Sequence, residues 1–167
     1  SKEDYRRAAK AYRKAIALEP DEPTAYFNLG VMLQYSGHDV EAAQRYLEAK
    51  ERELVGSEGW ARATALAFTM LRQEDCSEVA KPEWWNDEGL KALSARVVRA
   101  APNDEGTNIM RAGVLSGAGG ATWKAGFRSA AELVEAATHF DRGAAVSNAP
   151  AGSAELASWA VSCRSEA

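Results

Sequence analysis

The fold of this chain is decided by residues 23–54, which read PTAYFNLGVMLQYSGHDVEAAQRYLEAKEREL. Apolar and small residues recur at helical spacing on both sides of the turn at residues 36–39. Gly37 can adopt the left-handed conformation that ends a helix, and Asp39 is placed to cap a second helix beginning at Val40. The stretch therefore predicts two antiparallel helices joined by a tight turn.

Part of this hairpin recurs along the chain at a constant interval of 34 residues. A fixed period of this size is typical of an architecture built from stacked helical hairpins. Small residues would let the paired helices approach closely, and aromatic rings would fill the space beside them. The recurring positions are Ala8, Ala9, Tyr12, Ala15 and Glu19, which return as Ala42, Ala43, Tyr46, Ala49 and Glu53, and Tyr26, which is followed by Trp60.

The pattern resembles the tetratricopeptide repeat (TPR) family, whose repeats are 34 residues long. The resemblance is clear over about residues 5–72 and degenerate afterwards. It implies an all-α, right-handed α-solenoid of antiparallel helical hairpins. It also implies a protein–protein interaction module or scaffold, which binds a peptide or helix of a partner in a groove lined by the first helices of the repeats. The strings that carry it are Tyr26-x2-Leu29-Gly30-x2-Leu33 and Ala42-x3-Tyr46-x2-Ala49.

The resemblance implies a single repeat domain over residues 1–167 that divides into unequal parts. The excess over the regular period places a longer connection between Gln73 and Glu83, followed by a helix that carries Trp84 and Trp85. The predicted parts are the second helix of an incomplete first repeat (1–20), a complete repeat (23–54), a degenerate repeat with the longer connection (57–102), a loose hairpin with a Gly-rich turn at 116–121 (105–148), and a C-terminal capping helix (152–167).

The groove implied by the resemblance is lined by Thr24, Phe27, Asn28, Val31, Tyr35, Glu58 and Arg62. Asn28 and Arg62 lie one period apart and therefore at equivalent points. Some family members bind the C-terminal carboxylate of a chaperone tail with an Asn and an Arg at these points. Glu58 occupies a position where that clamp has a Lys, so the sequence favours a generic groove over a carboxylate clamp.

The adjacent tryptophans Trp84 and Trp85 are a possible surface anchor for a partner. Tryptophan is enriched where partners bury aromatic side chains. Adjacent residues on a helix point about 100° apart, so one ring should pack inward while the other lies nearer the surface. A core role is the favoured interpretation for the pair, and the outer ring stays a candidate contact.

The sequence predicts no catalytic, metal or cofactor site. His38 and His139 stand in no metal-binding spacing, and the pattern predicts an exposed helical His139. Cys76 and Cys163 have no local basic partner and should be inert thiols. The Gly-rich stretch lacks the spacing of a phosphate-binding loop, since Lys124 is not flanked by Gly and Ser or Thr. The chain is therefore predicted not to be an enzyme.

Composition narrows the partners to other proteins. Twenty basic and 24 acidic side chains give a net charge of −4, whereas nucleic-acid-binding domains usually carry a basic surplus. No apolar run is long enough to insert in a membrane, so we expect a soluble intracellular chain, cytoplasmic by default, although organelle targeting is compatible with the sequence. The partner would be another protein or the subunits of a larger assembly.

Two alternatives to a peptide-binding module stay open. The chain begins in the middle of a repeat, so it could be a non-catalytic helical accessory region of a larger enzyme. It could also be a self-assembling structural subunit, in which another copy completes the open first hairpin.

Overall fold

The computed structural model describes residues 2–117 and 122–167. These residues form helices and connections without a β-strand, so the predicted all-α class is confirmed. The bounds are α1 (Lys2–Leu18), α2 (Pro23–Tyr35), α3 (Asp39–Arg52), α4 (Glu58–Leu71), a 3₁₀ turn (Glu74–Cys76), α5 (Asp87–Ala100), α6 (Glu105–Ser116), α7 (Ala130–Val146) and α8 (Pro150–Glu166).

Each α-helix packs against the next one along the chain, and α4 also packs against α6. Connections of only a few residues separate α1 from α2, α2 from α3, and α3 from α4, which forces consecutive helices to run in opposite directions. The result is the predicted TPR-like helical solenoid. Gly117, with φ +67°, lies at the end of α6, whereas residues 118–121 of the predicted Gly-rich turn lie outside the described residues.

The α2–α3 hairpin shows how local chemistry sets helix ends. Pro23 begins α2, and the Glu22 side chain accepts a hydrogen bond from the Thr24 amide. Gly37 takes φ +79° in the turn, as its freedom from a Cβ allows. The predicted cap was wrong: α3 begins at Asp39 itself. Its carboxylate belongs to the first helical turn, where negative charge favours the positive end of the helix dipole.

Tyr46 of α3 fills the space beside Gly30 of α2. The Tyr46 side chain is fully buried, and its hydroxyl donates a hydrogen bond of 2.8 Å to Gln34 Oε1. The Phe27 ring meets it edge-on at 5.7 Å between centroids. A Cβ built on Gly30 would lie 2.8 Å from Tyr46 Cε1, closer than two carbon atoms can pack. The close approach of these helices therefore requires glycine at position 30.

The connection between α4 and α5 covers residues 72–86 and contains both tryptophans of the predicted anchor. The prediction that Trp84 and Trp85 lie on a helix was wrong, because α5 begins only at Asp87. The Asn86 side chain accepts a hydrogen bond of 2.8 Å from the Gly89 amide. This cap fixes the helix start after the tryptophans.

Trp85 belongs to an aromatic cluster that closes the middle of the solenoid. Its ring lies 5.7 Å from Phe68 of α4 and 5.9 Å from Trp123, while its Nε1 donates a 2.9 Å hydrogen bond to the Thr122 carbonyl. Thr122 Oγ1 in turn donates to the Leu71 carbonyl at 3.0 Å. Thr122 and Trp123 are thus held against α4 and the α4–α5 connection.

Arg128 anchors the same segment to α5 and α6. Its Nη1 donates to Asp87 Oδ2 at 2.9 Å, and its Nη2 donates to Asp87 Oδ1 and to the Val114 carbonyl. Only 7% of the Arg128 side chain is exposed, against 25% for Asp87. The guanidinium holds the pKa of Asp87 below its ordinary value by hydrogen bonding and by its charge. One largely buried ion pair therefore joins three parts of the chain.

Candidate protein-binding groove

Four of the five predicted groove residues of α2 follow one face of the helix, at positions 24, 28, 31 and 35. Thr24 and Tyr35 are exposed, whereas Asn28 and Val31 are half-buried. These four residues, here called the α2 stripe, are separated by three or four positions and therefore share a helix face. The buried residues of the same helix are Ala25, Tyr26, Leu29, Gly30 and Leu33.

Phe27 and Tyr35 have structural contacts of their own. Phe27 is half-buried and packs against the hydrophobic core, including the Tyr46 ring. Tyr35 stacks on Tyr5 of α1 with a centroid distance of 5.4 Å and an interplanar angle of 12°, yet 65% of the residue stays exposed. A partner could therefore touch Tyr35 directly, while Phe27 supports the helix from beneath.

Arg62 of α4 is already paired with two carboxylates. Its Nη2 lies 2.9 Å from Glu58 Oε1, and its Nε donates to Asp104 Oδ2 at 3.0 Å. Asp104 also caps α6, because its Oδ1 accepts from the Thr107 amide at 3.0 Å. Arg62 thus joins α4 to the start of α6, and the trio of Glu58, Arg62 and Asp104 carries one net negative charge. The sequence-based prediction did not include Asp104 as a partner of Arg62, although the position of Asp104 before a helical stretch is a recognisable N-cap signal.

The structure brings Glu58 and Arg62 together but does not link them to the α2 stripe. Among the described residues, no hydrogen bond or ion pair joins α2 to either side chain. Thr24 is engaged locally, since its Oγ1 donates to Glu22 Oε1 at 2.5 Å. The stripe and the Arg62 trio are therefore not joined by a polar contact, and they differ in charge.

Comparison with known proteins adds a family relationship. Residues 1–37 match the family model of the TPR repeat. This match supports a relationship of that segment to the TPR family. Residues 38–167 are not matched, and no curated protein matches the chain. A TPR repeat supports a role in protein–protein interaction in general terms, and the matched segment contains the whole α2 stripe.

The outer ring of the predicted anchor is Trp84. Trp85 is 8% exposed and belongs to the aromatic cluster, whereas Trp84 is half-buried and lies 5.7 Å from it. Lys50 Nζ of α3 lies over the Trp84 ring, 5.8 Å from its centroid. The exposed part of the pair thus borders a cationic side chain.

The prediction that His139 is exposed was wrong. Only 6% of the residue is accessible, and its Nδ1 lies 2.8 Å from Asn108 Oδ1 of α6. Helix α7 packs against both α6 and α8, so the buried part of its surface is wide enough to include His139 as well as Phe140. Burial lowers the pKa of His139, the charges of Arg142 and Arg111 lower it further, and Glu135 opposes them.

The buried His139 should make stability depend on pH near neutrality. Because its pKa is below the ordinary value in the folded chain, the unfolded chain binds more protons as pH falls through about 6.5. As far as His139 determines it, the free energy of unfolding should therefore be highest above about pH 7 and should decline towards pH 5.5. Thermal unfolding at pH 7.5, 6.5 and 5.5 measures this slope, which His139→Gln should reduce.

The second histidine provides the matched control for this experiment. His38 is exposed in the α2–α3 turn, so His38→Gln should keep the wild-type slope. Equal slopes in the wild type and His139→Gln would show that His139 does not carry the pH dependence.

The two cysteines are free and buried. Burial raises the pKa of both thiols, which keeps them in the weakly nucleophilic protonated form. Among the described residues, no group of three or more His, Cys, Asp or Glu side chains could hold a metal ion. None of the described helices is both long enough and apolar enough to span a bilayer.

Proposed function

We propose that this chain binds a peptide or helix of another protein along the groove lined by Thr24, Phe27, Asn28, Val31, Tyr35, Glu58 and Arg62. The observation that carries the proposal is the α2 stripe, which stays accessible while the opposite face of α2 is buried. The match of residues 1–37 to the TPR repeat supports the same surface, because it covers all of α2.

The chemistry of the groove favours a neutral or basic segment. Asn28 can donate to and accept from a partner backbone, and Val31 and Tyr35 offer apolar and aromatic contact. Arg62 is neutralised by Glu58 and Asp104, so a partner carboxylate would meet net negative charge at this point. A C-terminal carboxylate, as in a chaperone tail, is therefore a poor ligand for this groove.

A photo-crosslinking residue at position 35 tests the surface in the source cell. Tyr35 is 65% exposed, so the substituted side chain would reach a bound partner. We expect a discrete adduct that identifies the partner by mass spectrometry. The same crosslinker at Val134 of α7, which is 52% exposed, should not give that adduct. An adduct between two copies of the chain would instead support the self-assembling subunit.

The affinity of the isolated partner then tests the groove residues. Asn28→Ala with Arg62→Ala should weaken binding at least about tenfold, which corresponds to about 1.4 kcal/mol. Gln44→Ala with Arg142→Ala removes the same chemical groups from exposed positions outside the groove and should change the affinity by less than about twofold. Helical circular dichroism should be unchanged in both. Unaltered binding in the first double variant would show that the partner uses another surface.

A further inference from the structure

Three cationic side chains gather where α3, α4 and α5 meet. Lys50 lies on α3, and Arg96 and Arg99 lie on α5. Within residues 2–117 and 122–167, no carboxylate lies within ion-pair distance of these three groups. The chain as a whole carries a net charge of −4, so an unpaired cationic cluster is not expected from its composition.

Two adjoining cavities open among these cations and share Trp60 and Arg96. One has a volume of about 290 Å³ and is also lined by Lys50 and Trp84. The other has a volume of about 260 Å³ and is also lined by Arg99. None of the described residues that line the two cavities is acidic. We call the two together the Lys50–Arg96 cleft.

Aromatic rings hold the two central cations at the walls of the cleft. Lys50 Nζ lies 5.8 Å from the centroid of the Trp84 ring, and Arg96 Cζ lies 5.3 Å from that of Trp60. Contacts of this kind attract a cation to the ring face and restrict its motion. The positive charges are thus positioned before any ligand arrives, which reduces the entropy lost on binding.

The like charges of the cations in the cleft also repel one another. Burial lowers the pKa of Lys50, and the charge of Arg96 lowers it further against the opposing effect of Glu51. Two like charges lined up on one cavity raise the electrostatic energy of the free protein. A bound anion would relieve this repulsion as well as pair with each cation.

Apolar side chains lie beside the cations. Leu54 and Val55, in the connection between α3 and α4, are 80% and 62% exposed, and Val55 lines the larger cavity. Inorganic phosphate would leave these side chains in water. An acidic polypeptide that also carries an apolar residue would cover them and fill the cleft.

We propose that the Lys50–Arg96 cleft binds an acidic segment of a partner protein. Carboxylates of adjacent Asp or Glu residues pair with Lys50, Arg96 and Arg99, and a neighbouring apolar side chain packs on Leu54 and Val55. The cations come from α3 and α5, so this site is distinct from the α2 stripe and does not depend on it. The chain thereby carries a second recognition surface, of opposite charge preference to the first.

A labelled peptide with the sequence Gly-Leu-Glu-Glu-Leu-Gly and blocked ends provides the probe. Titration with the full chain, followed by fluorescence anisotropy, should give saturable binding with a dissociation constant below about 1 mM. This binding should weaken as salt is raised. Lys50→Gln with Arg96→Gln should weaken binding at least about tenfold. Arg7→Gln with Lys10→Gln removes the same charge from exposed positions of α1 and should change it by less than about twofold.

Several outcomes would overturn the proposal. They are absence of binding, equal binding of the peptide with Gln-Gln in place of Glu-Glu, and equal losses in the two double variants. If pyrophosphate binds more tightly than the peptide and displaces it, the ligand is a phosphate compound and the peptide proposal also fails. Should Lys50→Gln with Arg96→Gln fail to fold, Arg99→Gln and Leu54→Ser alter exposed side chains and should each weaken binding about two- to fivefold.

Discussion

Replacing Tyr46 with alanine should destabilise the chain by about 3–5 kcal/mol, the range measured for truncating a buried aromatic side chain. Tyr46 is fully buried between α2 and α3, so its removal leaves a cavity at the centre of the α2–α3 hairpin. Tyr46→Phe should cost only about 1 kcal/mol, because it removes the hydrogen bond to Gln34 and keeps the packing. Urea unfolding followed by circular dichroism measures both losses.

The effect of Gly30→Ala should change sign with the residue at position 46. In the wild type, a new Cβ at Gly30 would lie 2.8 Å from the Tyr46 ring, and overpacking of this kind costs about 1–3 kcal/mol. In the Tyr46→Ala background the clash is absent. Alanine should then stabilise α2 by up to about 1 kcal/mol through its higher helix propensity.

A double-mutant cycle on these two positions separates packing from propensity. A coupling energy of at least about 1 kcal/mol between Gly30→Ala and Tyr46→Ala is the expected result. The α2 stripe lies on the helix that this contact positions. The apparent affinity for a partner should therefore fall only in proportion to the fraction of the chain that is unfolded. Additive effects within about 0.3 kcal/mol would contradict the close approach of α2 and α3.

Replacing Asp87 with alanine should destabilise the chain by about 2–4 kcal/mol. Breaking a buried ion pair by removing one partner costs about 3–5 kcal/mol, because the remaining charge stays buried and uncompensated. The Arg128 side chain is 7% exposed and would be left in this state, while the 25% exposure of Asp87 reduces the cost somewhat. Chemical unfolding at pH 7 measures the loss.

Removing both charges should be less harmful than removing one. In Asp87→Ala with Arg128→Met no buried charge is left unpaired, so we expect at least about half of the lost stability to return. Hydrogen exchange should show faster opening of the Ala130 end of α7 in the single variant, since Arg128 ties this segment to α5 and α6. A double variant as unstable as the single one would contradict the role assigned to the pair.

The structure differs from the sequence-based predictions mainly where a residue's environment depends on distant parts of the chain. The bounds of α2 and α4 follow from local signals, namely Pro23, the Gly37 turn and the Ser57 cap. Arg62 and Asp104, which form an ion pair, are 42 positions apart along the chain, and no local sequence pattern predicts such a contact. The start of α5 was mispredicted for a different, local reason, because the Asn86 side chain caps the helix after the two tryptophans.

By itself the sequence determined the all-helical class and the α2–α3 hairpin. These features rest on short-range periodicity and turn chemistry, which act between residues close along the chain. Only the tertiary structure decided that His139 is buried, that Arg62 is paired, and that Lys50, Arg96 and Arg99 face one cleft without a carboxylate. Burial and charge pairing depend on which helices become neighbours, and that is fixed by the packing of the whole solenoid.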